Sequence, residues 1–315
     1  MSRPLIRYWL LIIVGIGLFV FGVVFSILLP RIGHAPPSDR LIRFAIIGDY
    51  GATVDGGGEE ARKVADAVKS WNPDFIVTTG DNNYPSGAAE TIDVNVGQYY
   101  ADYIGNYRAK YGKGSKDNRF FPVLGNHDYR IDDARAYLDY FTLPGRSGNT
   151  SGNERYYNFR WGPIEFFMMD SGALEVTGLN IPSREQYQWI KEAISSSNAR
   201  WKFVIMHHSP FSSCHINAND RRMQLPFTRW GAHAVFSGHC HIYEYLYKSG
   251  MHYFVNGAGG GPTHSCSSMH PDSKICQEGH GAQLVTVSEK GVTIEFYSTN
   301  NAQYPWHSIR HSIRL

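Results

Sequence analysis

Five short polar clusters in this chain each follow an apolar run: Gly48-Asp49-Tyr50-Gly51, Gly80-Asp81-Asn82-Asn83-Tyr84, Gly125-Asn126-His127-Asp128, Met206-His207-His208 and Gly238-His239-Cys240-His241. Their side chains pool carboxylates (Asp49, Asp81), a phenol (Tyr84), a carboxamide (Asn126) and imidazoles (His207, His239, His241). Hard oxygen donors mixed with imidazoles suit iron, zinc or manganese better than calcium, which takes all-oxygen shells. Taken singly, each cluster is ordinary. An Asp after Gly commonly serves a turn or a helix cap, a tyrosine packs, and a histidine at a strand end sits at the surface. His239 and His241 are more specific, because alternating residues on a strand or tight loop can aim both imidazoles one way. All five clusters occurring in this order point to a metal centre.

Donors spread from residue 49 to residue 241 meet only if the fold gathers them. Each cluster ends an apolar run, and in α/β sheets ligands bind beyond the carboxyl ends of strands. Strands are predicted over Leu41–Ile47, Phe75–Thr79, Phe120–Leu124, Trp201–Met206 and Ala234–Phe236, with others at Phe254-Val255, Leu284–Val287 and Val292–Tyr297, the last two as a hairpin. Tyr156–Arg160 and Ile164–Met169 flank Trp161-Gly162-Pro163 as a second hairpin. Ala61, Val64, Ala65, Val68 and Trp71 recur at helical spacing within Glu59–Trp71. The polar and aromatic stretch Asp93–Tyr111 is also predicted helical. Ser183 opens another helix, with Gln186 completing a capping box and Tyr187, Ile190 and Ile194 on one face. Strands alternating with helices, then late hairpins, define an α/β class built around a central sheet or pair of sheets.

The bulk properties set the frame. The chain has 315 residues, 43% apolar and 18% charged, as a globular protein does. A net charge of +2 gives no basic footprint, so no nucleic-acid partner is indicated. Trp9–Leu29 is an uncharged run of 21 residues. At ~1.5 Å per residue a helix of that length spans the ~30 Å hydrocarbon core of a bilayer. A cleaved signal peptide is the alternative, but its apolar region would be shorter and Leu29-Pro30-Arg31 makes a poor cleavage site. The expected organisation is a cytoplasmic tip and transmembrane anchor over 1–30, a Pro-rich tether over 31–40 and a catalytic domain over 41–315. Arg3 and Arg7 precede the span, while Arg31, Arg40 and Arg43 follow it. That balance favours an inside N-terminus and a single-pass protein whose catalytic domain is extracytoplasmic.

The series GDYG, GDNNY, GNHD, VIMH, GHCH resembles the calcineurin-like metallophosphoesterase superfamily. A tyrosine three residues after the second aspartate narrows the resemblance to the purple acid phosphatases, and "YYNFRWGPIEFFMMDSG", "QWIKEAISSSNARWKFVIMHH" and "YFVNGAGGG" are similar to the small, mammalian-type branch. The resemblance spans roughly Ile42–Val287. It implies a four-layer α/β/β/α sandwich with a two-metal centre at its rim. Asp49, Tyr84 and His241 would hold a ferric iron, Asp81 would bridge, and Asn126, His207 and His239 would hold iron, zinc or manganese. His127 would contact the substrate phosphate and assist the leaving group, with Asp128 as a candidate orienting partner. The V-x-x-H spacing from Val204 favours His207 over His208 as the ligand, leaving His208 to line the pocket. His215 stands one residue early for the further substrate histidine of that branch.

The resemblance also gives Tyr84 a reason. Related phosphodiesterases carry a histidine two residues after the first Asp, where this chain has Gly51. A phenolate would supply the missing ligand. A free tyrosine ionises near pH ~10, so only a strongly Lewis-acidic ion such as ferric iron makes it available at acid or neutral pH. The implied reaction is hydrolysis of phosphate monoesters by hydroxide generated at the metals, as in an acid phosphatase. A phosphodiesterase or nucleotide pyrophosphatase on the same scaffold is the enzymatic alternative, and a non-catalytic binding protein the other.

Other motifs carry less. Gly257–Pro262 breaks the G-x-G-x-x-G pattern with Pro262 and is expected as a loop near the site. Gly56-Gly57-Gly58 lacks the Lys-Ser/Thr of a P-loop, and no G-x-S-x-G occurs. Cys266 and Cys276 would pair if the domain is exported and otherwise stay free thiols. Cys240 is expected to point away from the metals. Asn149-Thr150-Ser151 is a glycosylation sequon. Nothing in the sequence fixes an oligomeric state.

Overall fold

The computed structural model describes residues 41–52, 58–146, 151–173, 182–215, 219–299 and 309–315. The apolar stretch Trp9–Leu29, the tether and Asn149 of the sequon lie outside them. Among the described residues no helix is long and apolar enough to cross a membrane.

The apolar runs that end in polar clusters do form strands. β1 (Ile42–Ile47), β2 (Phe75–Thr78) and β3 (Phe120–Phe121) run parallel. β11 (Gly281–Ser288) joins β1 antiparallel, and β12 (Gly291–Ser298) and β13 (Ile309–Arg314) continue outward in a six-stranded sheet ordered β13-β12-β11-β1-β2-β3. The second, seven-stranded sheet is ordered β10-β8-β9-β7-β6-β5-β4. It contains β4 (Tyr157–Trp161), β5 (Ile164–Met168), β6 (Trp201–Ile205), β7 (Ala234–Ser237), β8 (Ile242–Lys248), β9 (Met251–Asn256) and β10 (Ser273–Glu278). Within it β5, β6, β7 and β9 are parallel. Both parallel sets therefore send their carboxyl ends toward a shared rim.

Aromatic side chains join the sheets. Phe44 of β1 meets Phe166 of β5 at 5.2 Å between ring centres, Phe75 of β2 meets Trp161 at 4.6 Å, and Phe121 of β3 stacks on Phe159 of β4 at 3.8 Å. Burying each such ring stabilises the fold by about 1.5–3 kcal/mol. Helix α1 (Gly58–Ser70) buries Val64, Ala65 and Val68 and packs on β11. Helix α2 (Arg184–Ser196) buries Ile190 and Ile194 and packs on β5. The layering is helix, sheet, sheet, helix, as the sequence led us to expect.

Several boundaries move for identifiable reasons. The helix expected over Asp93–Tyr111 is instead a run of helical turns over Ala89–Tyr103. Asn106 takes a left-handed φ of 57° and the chain folds back, so that Tyr107 donates its hydroxyl to Asp93 at 2.6 Å. The strand expected over Phe120–Leu124 stops at Phe121, because Pro122 has no N–H for the ladder. The Pro122 carbonyl accepts the hydroxyls of Tyr137 and Tyr157, each at 2.7 Å. Ser183 caps α2 by accepting the N–H of Gln186 at 3.2 Å, but the Gln186 side chain turns to the Asp170 backbone instead of closing the box. β8, β10 and β13 have no counterpart among the strands expected from the sequence. β10 is a polar edge strand with no fully buried residue, so no periodic pattern marks it. It carries Cys276, which is disulfide-bonded to Cys266 at a Cα separation of 6.1 Å.

Candidate metal centre

Asp49 follows β1, Asp81 and Tyr84 follow β2, Asn126 and His127 follow β3, His207 follows β6, and His239 and His241 lie between β7 and β8. Asp49, Asp81 and His239 adopt left-handed φ angles of 54°, 50° and 68°. Such backbone is costly for residues with a Cβ and concentrates at functional sites. Each of the three follows a glycine, and the glycines permit close approach. A Cβ on Gly238 would lie 2.5 Å from Asp49 Oδ2, and one on Gly125 would lie 2.1 Å from Asp81 Oδ1.

The donors converge in two groups. Tyr84 Oη lies 3.4 Å from Asp49 Oδ1, 3.1 Å from His241 Nε2 and 2.9 Å from Asp81 Oδ2, and His241 Nε2 lies 3.3 Å from Asp49 Oδ1. In the other group His207 Nε2 lies 2.9 Å from Asn126 Oδ1, 3.3 Å from His239 Nδ1 and 3.5 Å from Asp81 Oδ2. Asp81 Oδ2 is common to both. Donors ~2.1 Å from a shared ion and at right angles would stand about 3 Å apart, so the spacing fits cations and the donor types suit transition metals.

Each carboxylate divides its work. Asp81 turns Oδ1 to the His127 N–H at 2.8 Å, and Asp49 turns Oδ2 to the His239 N–H at 3.0 Å, leaving the other oxygen to the cluster. Backbone carbonyls set the imidazoles. Thr79 O takes the Nδ1–H of His207 at 2.8 Å, and Pro262 O takes that of His241 at 2.5 Å. The Nε2 lone pairs then face inward, an arrangement usual for ligating histidines.

The electrostatics show what the cluster lacks. Burial raises the Tyr84 phenol well above its ordinary value, and the charges of Asp81 and Asp49 push it further. Burial alone would lower His207, but Asp81 and Asp49 outweigh it and hold the imidazole up at about 10. A buried set of acids that recruits protons onto its own imidazole is a set that cations would neutralise.

The remaining expected residues fall at varied distances. His127 Nε2 lies 4.0 Å from Asp81 Oδ2, and its Nδ1 is 2.7 Å from Pro85 O. Asp128 does not orient it. Its buried carboxylate turns inward to the N–H groups of Gly125 at 2.9 Å and Asn82 at 3.2 Å. His208 is buried beside the cluster, its ring 4.5 Å from that of His239, with Nδ1 3.3 Å from Ser171 Oγ. His215 is exposed and touches Ser265 at 3.3 Å, one ring beyond His264. Cys240 faces the thiol of Cys214 rather than the cluster, and Gly257–Gly261 pass close to Asp49 and His241 as expected. Two contributors went unread. Ser171 Oγ accepts the N–H groups of His207 at 3.0 Å and His208 at 2.9 Å. His264 stacks on His241 at 4.3 Å. Ser171 follows β5, so the strand-end rule that found the other residues would have reached it.

Residues 42–243 match the family described as "Calcineurin-like phosphoesterase". Among curated proteins, the chain is 24% identical to purple acid phosphatase 4 of Arabidopsis thaliana, over 88% of this chain and 86% of that one. It is 23% identical to tartrate-resistant acid phosphatase type 5 of Rattus norvegicus, over 74% and 77%. Among solved structures it resembles the purple acid phosphatase PPD1 of yellow lupin (Lupinus luteus) seeds, with a TM-score of 0.66 at 15% identity, over 88% of this chain and 54% of that one. GAP50, the anchor in the inner membrane complex of Plasmodium, gives 0.65 at 18% identity, over 87% and 88%. These structural likenesses speak to the fold.

Proposed function

Because the chain belongs to the calcineurin-like phosphoesterase family, we propose that it is a binuclear metal-dependent phosphatase of the purple acid type, hydrolysing phosphate monoesters. One observation carries the reading: Asp81 Oδ2 stands 2.9 Å from Tyr84 Oη and 3.5 Å from His207 Nε2, a single oxygen shared by two donor groups. Asp49, Tyr84 and His241 would hold one ion and Asn126, His207 and His239 the other. The phenol of Tyr84, held protonated by burial and two carboxylates, ionises only beside a strong Lewis acid, which favours ferric iron there. Iron, zinc or manganese fits the second position. Bound ions supply Lewis acidity toward the phosphate oxygens and toward water.

The chain's own side chains do the remainder. With Nδ1–H fixed on Pro85 O, His127 presents Nε2 to the rim, where it is placed to protonate the leaving oxygen. Burial lowers its pKa, and Asp81 offsets this only in part. A general acid that must be protonated, with a lowered pKa, gives an acid-leaning optimum. We assign substrate contact to His208, which packs on His239, and to the exposed His215, which lies beside His264, as the family resemblance implies.

The Cys266–Cys276 disulfide supports an oxidising compartment. Together with the uncharged 21-residue run Trp9–Leu29 it supports a single-pass anchor with the catalytic domain extracytoplasmic.

Metal analysis of the purified protein, with matched aryl monoester and bis-aryl ester substrates, tests the reading. Two ions per chain and preference for the monoester are expected. Preference for the bis-ester would move the protein to the phosphodiesterase reading, and a chain without ions or turnover would make it a binding protein.

A further inference from the structure

Behind His241 lies a second group of metal-type donors that the phosphatase reading does not use. Cys214, from the loop after β6, and Cys240, between β7 and β8, are both buried and both free of disulfides. His264, from the loop between β9 and β10, joins them. One sulfur from each cysteine and one imidazole nitrogen all lie within 4.8 Å of one another, with Cys214 Sγ 3.9 Å from His264 Nδ1.

We propose that Cys214, Cys240 and His264 form a separate site for a soft or borderline cation of the zinc, cadmium or copper(I) class. Thiolates select such ions over the hard cations that carboxylate and phenolate prefer. A tetrahedral ion with bonds of ~2.3 Å to sulfur and ~2.0 Å to nitrogen keeps its ligands about 3.5–3.8 Å apart. The observed spacing reaches that by small side-chain shifts. Three protein donors leave a fourth position open, and His264 is only partly buried. The cysteine loops are rigidly backed. The buried Glu244 carboxylate accepts the Ser212 hydroxyl and the Ser213 N–H, each at 2.8 Å, and Ser212 Oγ in turn accepts the Cys214 N–H at 3.1 Å.

The site adjoins the larger centre through His264, which stacks on His241 at 4.3 Å and donates its backbone N–H to the His241 carbonyl at 3.1 Å. His264 Nδ1 accepts the backbone N–H of His241 at 3.1 Å. A cation taking the Nδ1 lone pair replaces that hydrogen bond and leaves the His241 N–H without its acceptor, while the His241 carbonyl keeps the His264 N–H. Occupancy at the thiols is therefore expected to lower phosphatase turnover.

The test uses the full-length protein with its binuclear centre filled and both thiols first shown to titrate as free. Co2+ alone is added and the difference spectrum followed. A thiolate-to-cobalt charge-transfer band saturating at one ion per chain is expected, since the binuclear donors include no thiol. The band should vanish in Cys214→Ser and need at least 10-fold more Co2+ in His264→Gln. No band in the wild type, or an unchanged band in Cys214→Ser, overturns the proposal. Cys214 lies outside the binuclear cluster, so Cys214→Ser keeps its metal content as a check on folding.

Discussion

Asn82 and Asp128 lock together behind the binuclear cluster: the Asn82 side-chain amide donates to Asp128 Oδ2 at 2.8 Å, and its backbone N–H reaches both carboxylate oxygens at 3.2 Å. The same Asn82 accepts the hydroxyls of Thr78 at 2.7 Å and Tyr50 at 2.9 Å. One buried knot therefore ties the ends of β1 and β2 to the loop that carries Asn126 and His127. Asp128→Ala would strip buried donors on Asn82 and Gly125 of their acceptor. Each such loss costs about 1–3 kcal/mol, so a total destabilisation of about 3 kcal/mol is expected in urea unfolding. A loss under 1 kcal/mol would mean that water replaces the carboxylate freely.

His127 presents Nε2 to the rim and is braced by a carbonyl, not a carboxylate. A general acid matters most when the leaving group is a poor one. His127→Ala should lower kcat roughly 100- to 10,000-fold for an alkyl phosphate, and far less for a nitrophenyl phosphate, whose leaving oxygen needs no proton. Equal losses on both substrates would assign His127 to phosphate binding instead of proton transfer.

The cluster was legible in the sequence because its residues sit at the ends of buried parallel strands, where an apolar run breaks into a glycine and a polar side chain. That local signature survives without knowledge of the strand order. What orients the donors was not legible. The carbonyls of Thr79, Pro85 and Pro262 that fix His207, His127 and His241 belong to residues whose side chains say nothing about it. Asp128 misled for a related reason: adjacency in sequence to His127 suggested a pair, but in a tight turn neighbouring side chains point apart. β10 and β13 escaped because edge strands need no buried face on both sides.

Tyr84 is the residue on which the nature of the first ion turns. Its hydroxyl touches Asp49, Asp81 and His241. Tyr84→Phe keeps the ring and removes only that oxygen. With ferric iron at this position, the wild type is expected to show a visible phenolate-to-ferric absorption that Tyr84→Phe lacks. Persistence of the colour in Tyr84→Phe would remove Tyr84 from the proposed ligand set.

Adjacent histidines after β6 are separated by geometry. His207 aims Nε2 at Asn126 and Asp81, whereas His208 lies against Ser171. His207→Ala should therefore purify with about half the wild-type metal, and His208→Ala with the full amount but weaker substrate affinity. Metal analysis of the two variants decides the assignment; the reverse outcome would exchange their roles.

Asp170, one residue before Ser171, offers a pH effect from a carboxyl that is not among the proposed metal ligands. The carboxyl is 4% exposed and accepts the Tyr129 hydroxyl at 2.5 Å. Burial raises its pKa to about 6, against the opposing pull of Tyr129 and Arg155. An unfolded Asp titrates near ~3.9, so between these values the folded chain holds the proton that the unfolded chain has released. The folded state is therefore favoured at the acid end, and this contribution is lost as pH rises through about 6. A shift of that size corresponds to roughly 3 kcal/mol. Asp170→Asn mimics the protonated form at every pH. Relative to the wild type, the variant should gain stability progressively between about pH 4 and 6 and hold a constant difference above it, as read from urea unfolding across that range. A difference that does not change with pH would show that Asp170 stays ionised in the fold, with Arg155 as its effective partner.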